Sequence, residues 1–122
     1  MSQLRSEDPL VFDASVVSNL TGHADDVAFA REFVAKFQKL LPVRVARINR
    51  ALAERELVDT MDAVLSLKGA AGTVGAGELF VLGALMEGHL KRRDFAAADT
   101  LAEELPAAAD RADRAFTAYL GA

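Results

Sequence analysis

Apolar residues recur at three- and four-residue steps along almost the whole chain, and no stretch alternates with a period of two. The pattern predicts an all-α protein. A first short helix follows Asp13, which can cap the free amides of "ASVVSNL" before Gly22 ends it. A second runs from Asp25 or Asp26 to about Glu54, with Phe29, Phe33, Phe37, Leu41, Ile48 and Leu52 along one face. Pro42 should kink this helix without ending it, because the periodicity resumes in register beyond. A third helix spans about Leu57 to Thr73 and stops at Gly75; a fourth spans Gly77 to His89 with Leu79, Leu82 and Met86 inward. Lys91, Arg92 and Arg93 suit the negative end of its dipole. Asp94 caps a fifth helix whose inward stripe is Ala98, Leu101, Leu105, Ala112, Phe116 and Tyr119, bent at Pro106. Connections this short make consecutive long helices antiparallel. The expected architecture is therefore an up-down-up-down four-helix bundle with a short additional N-terminal helix. Residues 1–122 read as a single domain, with 1–9 a loosely ordered lead-in.

Within the third helix the stretch "VLSLKGAAGTVGA" places Gly69, Gly72 and Gly75 close together. Each interior glycine costs a helix about 1 kcal/mol relative to alanine, so their positions on the helix matter. At about 100° per residue, and with Leu65 taken as zero, Val64, Leu67, Ala71 and Val74 fall in an arc of roughly 80° centred near 220°, a buried stripe. Val58, Met61, Lys68, Gly69 and Gly72 lie within roughly 60° of Leu65, on the other side. Glycines on that face bare the helix surface, either for a docking partner or for close packing of a neighbouring helix in the same bundle. The outward apolar trio Val58, Met61 and Leu65 favours a docking surface.

Composition narrows the function classes. With 122 residues, 52% of them hydrophobic, the chain can bury a core without a metal or a disulfide as a staple. A formal net charge of −4 argues against nucleic acid or an anionic membrane as partner. The absence of cysteine removes thiolate chemistry and fits a cytoplasmic protein. "MSQLRSEDPL" has no apolar core of a secretory signal, and the longest apolar run, "LFVLGALM", is far short of the roughly 20 residues that span a bilayer. No cofactor or metal is expected. Asp59 and Asp62, one turn apart, read as a solvated helix start, and the other carboxylates of the long helices as solvent faces. His89 reads as a helix-ending residue and His23 as a loop residue.

"VLSLKGAAGTVGAGEL" resembles the signature of histidine phosphotransfer (HPt) domains, Ala-His-x-Leu-Lys-Gly-x-Ala-x-x-x-Gly-Ala-x-x-Leu. The matches are Leu67, Lys68, Gly69, Ala71, Gly75, Ala76 and Leu79. The flanks "FDASVVSNLTG", "FVAKFQKLLPVRVARINRAL" and "LGALMEGHLKRRDFAAADTLAEEL" resemble the family's opening, second and last helices. The resemblance implies the same bundle and, as partner, the receiver domain of a response regulator or hybrid histidine kinase. It also implies a phospho-accepting histidine three residues before the lysine, and here that residue is Leu65. An isobutyl group has no lone pair to take a phosphoryl group. Ser66 is no substitute, being about 100° round the helix.

The resemblance therefore implies a pseudo-phosphotransfer module, not an enzyme. Its receiver-docking residues would be Val58, Met61, Leu65, Lys68, Gly69 and Gly72, and a monomer is the expectation. Two other readings stand beside it: a structural or oligomerisation module that binds no receiver, and an engineered variant of an active phosphotransfer protein with histidine at 65.

Overall fold

The computed structural model describes residues 4–20 and 27–121, and among these every regular element is a helix. In chain order they are α1 (Ala14–Leu20), α2 (Val27–Ala53), α3 (Leu57–Val74), α4 (Gly77–Lys91), α5 (Phe95–Ala102) and α6 (Leu105–Gly121). The anticipated stop at Gly22, the start at Asp25 or Asp26, and His23 lie outside the described residues. Asp13 begins α1 as expected: its Oδ1 accepts from the Ser15 amide at 3.0 Å and the Ser15 hydroxyl at 2.7 Å.

The helices α2, α3, α4 and α6 form the bundle, and their registers are antiparallel. Gln38 of α2 donates to the Asp113 and Thr117 side chains of α6, while seven residues earlier Arg31 reaches the carbonyls of Tyr119 and Leu120. From α3 to α4, Gly72 faces Phe80 and Lys68 faces Gly83 and Glu87. The core is the predicted one at its centre, where Val64, Leu67, Ala71, Val74, Leu79 and Met86 are all fully buried. Phe116 of α6 is also fully buried and takes Phe12 and Phe37 edge-on, with centroids 5.1 and 5.4 Å away.

Two expectations need correcting. The periodicity puts Phe29 on the buried face of α2, yet it is 51% exposed, with Phe33 at a ring-centroid distance of 6.4 Å. Arg31 already lies level with the last turn of α6, so residue 29 projects beyond the end of that neighbour. The predicted fifth helix is two helices, broken at Glu103 and Glu104. Pro106 cannot donate to the Ala102 carbonyl and its ring crowds that position, so the chain turns through a tight Glu104 N–H to Leu101 C=O bond of 3.0 Å and restarts at Leu105. Pro42, by contrast, sits inside an uninterrupted α2.

Three of the helices end in the same way, with one residue in the left-handed region: Arg55 (φ 55°) after α2, Gly75 (φ 90°) after α3 and Arg93 (φ 57°) after α4. In each case the next amide bonds back five residues: Glu56 to Ala51, Ala76 to Ala71 and Asp94 to His89. Gly75 must be glycine for a second reason, since a Cβ there would stand 2.4 Å from the Asp13 carbonyl oxygen. The segment before α1 is tied to this turn. The Asp13 amide donates to the Gly75 carbonyl at 2.9 Å, and the Glu78 amide to Leu10 at 2.8 Å.

Candidate functional site: the outward face of helix α3

Local helix geometry decides which residues α3 offers to solvent. Leu65 is 42% exposed and Val58 81%, with Met61 and Lys68 half-buried beside them, so position 65 lies off the core as its angle on the helix requires. Across the α3/α4 groove the strip faces Leu90, Lys91 and Arg93.

The three glycines of the motif do three different things. At Gly69 an added Cβ would meet nothing within 4 Å, so the helix backbone is open there. At Gly72 the space is taken: a Cβ would lie 3.1 Å from Cδ1 of Phe80, and the ring of that α4 residue occupies the gap. Gly72 therefore has exposed backbone with the Phe80 ring packed against one side, the close approach of a neighbouring helix being one of the two roles its spacing allowed. Gly75 makes the turn.

Lys68 does not point freely at position 65. Its Nζ lies 2.7 Å from Oε1 of Glu87 on α4 and 5.7 Å from the Phe80 ring centroid, while Lys91 Nζ holds the other carboxylate oxygen at 3.1 Å. The lysine stem crosses α4 at Gly83, where a Cβ would come within 2.9 Å of Lys68 Cβ. Sequence reasoning missed Phe80, Gly83 and Glu87. The register set by the Gly75–Ala76 turn was the signal that could have found them, because it places α4 residues 83–87 opposite Lys68.

The hydrogen bond from Lys68, then that from Lys91, holds the Glu87 carboxyl below its ordinary pKa of 4.5. A carboxylate whose pKa is lowered on folding stabilises the fold fully above its unfolded value and loses that contribution as pH falls through the folded value. Glu87→Gln is accordingly expected to lower the thermal midpoint at pH 7, and the gap from the parent protein should close as pH falls from the ordinary carboxyl value of 4.5 through the lowered folded one. Melting curves of the two proteins across that range check it; a gap independent of pH would count against the ion pair.

Two further carboxylate readings are corrected. Asp59 and Asp62 are not simply a solvated helix start, because both accept from Nη2 of Arg47 on α2, at 2.9 and 2.8 Å. The hydrogen bond to Asp62, then that to Asp59, raises the Arg47 pKa further. Glu78, at the start of α4, is not a solvent-face carboxylate either: Arg111 of α6 grips it in bidentate fashion at 3.0 and 2.7 Å. His89 ends α4 with its Nδ1 accepting from Arg92 at 2.9 Å, and Ser66 faces solvent. Among the described residues no group of three or more His, Asp or Glu side chains comes together as a metal site, and no helix is long and apolar enough to cross a membrane.

An antiparallel helical bundle with an extra N-terminal helix, carrying Lys68 and Gly69 on an outward helix face with Leu67 beneath them in the core, has the form of a phosphotransfer-type signalling domain. The family profile of the Hpt domain matches residues 32–115, and the chain belongs to that family, the phosphotransfer domains of two-component phosphorelays. Among solved structures the chain is similar to the HPt domain of an Hpt sensor hybrid histidine kinase from Shewanella. The TM-score is 0.78 at 20% identity, covering 93% of this chain and 97% of that one. No curated protein matches the sequence.

Proposed function

We propose that this protein is a pseudo-phosphotransfer module: it binds the receiver domain of a response regulator or hybrid kinase through the outward face of α3 and passes on no phosphate. The observation that carries the reading is Leu65, an exposed aliphatic residue three positions before Lys68, where the family's signature has its acceptor histidine. Val58, Met61 and Leu65 would supply the apolar centre of the contact, and Gly69 the close approach. Lys68, fixed by Glu87, would supply a positioned charge. Gly72 would contribute exposed backbone beside the Phe80 ring that it seats. The protein would act by occupying a receiver, in competition with phosphotransfer proteins that carry histidine.

The test is a panel of purified receiver domains from the source cell, measured for binding to the parent protein and to Gly69→Gln. One or a few receivers should bind. The glutamine should weaken that binding about tenfold by filling the approach at position 69. The helix should not suffer, because glutamine is the better helix former and the site is open. Binding of no receiver, with a concentration-dependent dimer in solution, would favour the structural module instead. Unchanged affinity in Gly69→Gln would remove Gly69 from the interface.

A further inference from the structure

The ends of α2 and α4 pose the same puzzle. Each places an arginine, Arg55 or Arg93, at a left-handed position where glycine is the least strained choice. For Arg55 the fold supplies the reason. Its guanidinium meets both carboxylate oxygens of Asp99, at 2.9 and 2.7 Å, and lies over the Phe95 ring at 5.2 Å. The arginine is kept for a side-chain contact that joins the α2 turn to α5.

Arg93 has the same backbone geometry, with its amide on the Leu90 carbonyl and the Asp94 amide on His89, both at 2.9 Å. Its guanidinium, however, makes no ion pair or hydrogen bond among the described residues. The other cations around it are engaged: Lys68 and Lys91 share Glu87, and Arg92 is on His89. Nor does the helix dipole require Arg93, since Lys91 and Arg92 already stand at the C-terminal end of α4. Arg93 lines the groove that also contains Val58, Met61 and Leu65. A strained backbone position, an unengaged guanidinium and an apolar strip thus meet at one place on the surface.

We infer that Arg93 is a specificity residue of the docking face, pairing with a carboxylate on the bound receiver at the edge of an apolar patch that covers Val58, Met61 and Leu65. This rests on the receiver-binding reading above. A guanidinium grips a carboxylate through two parallel hydrogen bonds, which fixes orientation as well as charge. The pair would form only in the complex, so the free protein bears the backbone strain with no compensating contact.

The test uses whichever receiver the panel identifies, with affinity and association rate measured at low and high salt for the parent protein, Arg93→Gly and Arg93→Lys. Arg93→Gly should melt at the same temperature as the parent or higher, because glycine suits the left-handed position. It should bind the receiver about tenfold more weakly, with a flatter dependence on salt. Arg93→Lys should recover only part of the affinity, since lysine cannot bind in bidentate fashion. Unchanged affinity and salt dependence in Arg93→Gly would overturn the inference while leaving receiver binding intact. A lower melting temperature in Arg93→Gly would also overturn it, by showing that the arginine serves the fold. If the parent protein binds no receiver on the panel, the reading under Proposed function fails and takes this one with it.

Discussion

Gly75→Ala is expected to destabilise the protein by about 3 kcal/mol, while the same substitution at Gly69 stabilises it. A left-handed conformation costs alanine about 1 kcal/mol relative to glycine. The new Cβ would also stand 2.4 Å from the Asp13 carbonyl oxygen, which is backbone and cannot swing away. Overpacking of that kind costs roughly 1–3 kcal/mol. The Asp13 amide is bonded to the Gly75 carbonyl, so relieving the clash would pull the α1 entry from the α3–α4 turn. Against a total stability of about 5–15 kcal/mol, the loss should appear as a fall in melting temperature of roughly 10 °C. Gly69 has no neighbour within 4 Å of an added Cβ, so alanine there should add about 0.5–1 kcal/mol by helix propensity alone. At Gly72 the Phe80 ring must shift by a few tenths of an ångström, and since that ring is 39% exposed it can. Thermal denaturation of the three alanine variants is the measurement. A Gly75→Ala protein as stable as the parent would mean that the α3–α4 turn does not anchor the entry to α1.

What could be read from the sequence is what is local. The buried stripe Val64, Leu67, Ala71 and Val74 follows from a period of 3.6, and the stop at Gly75 from the chemistry of a left-handed residue. Asp94 as a cap is equally local, and its Oδ1 accepts from the Ala97 amide at 3.0 Å. What could not be read depends on a second element. Nothing in the pattern of α2 says where α6 ends, so the exposure of Phe29 was hidden. The pairing of Asp59 and Asp62 with Arg47 needs the α2/α3 register, and that of Lys68 with Glu87 the α3/α4 register. The break at Pro106 is a question of degree. The inward stripe continues across it, and only the hydrogen-bond pattern shows that α5 stops first. Position 65 was legible because its identity and its angle on the helix are both local, whereas the hold on Lys68 beside it is not.

Leu65→His is expected to give a folded protein that accepts a phosphoryl group where the parent accepts none. Position 65 is 42% exposed and off the buried stripe, so the substitution should change stability by no more than about 0.5 kcal/mol. An imidazole nitrogen there could attack the phosphorus of a receiver's aspartyl phosphate. A nitrogen–phosphorus bond would form, the phosphorus–oxygen bond to the aspartate would break, and the carboxylate would leave. What limits the rate is the neighbouring cation. Lys68 could neutralise the developing charge only by releasing Glu87, which holds it at 2.7 Å in a pair only 29% and 16% exposed. Transfer to Leu65→His should therefore be slow, and Leu65→His combined with Glu87→Gln should accept phosphate about tenfold faster, because a charged donor at a developing anion is among the larger catalytic effects. Incubation with a phosphorylated receiver, followed by assay of acid-labile, alkali-stable phosphate on the parent, the single variant and the double variant, checks all three. Phosphohistidine on the parent, at His23 or His89, would overturn the pseudo-phosphotransfer reading. A single variant that unfolds would mean that Leu65 supports the fold. A folded variant that binds its receiver and takes no phosphate, with or without Glu87, would mean that the docking geometry itself no longer brings position 65 to the aspartate.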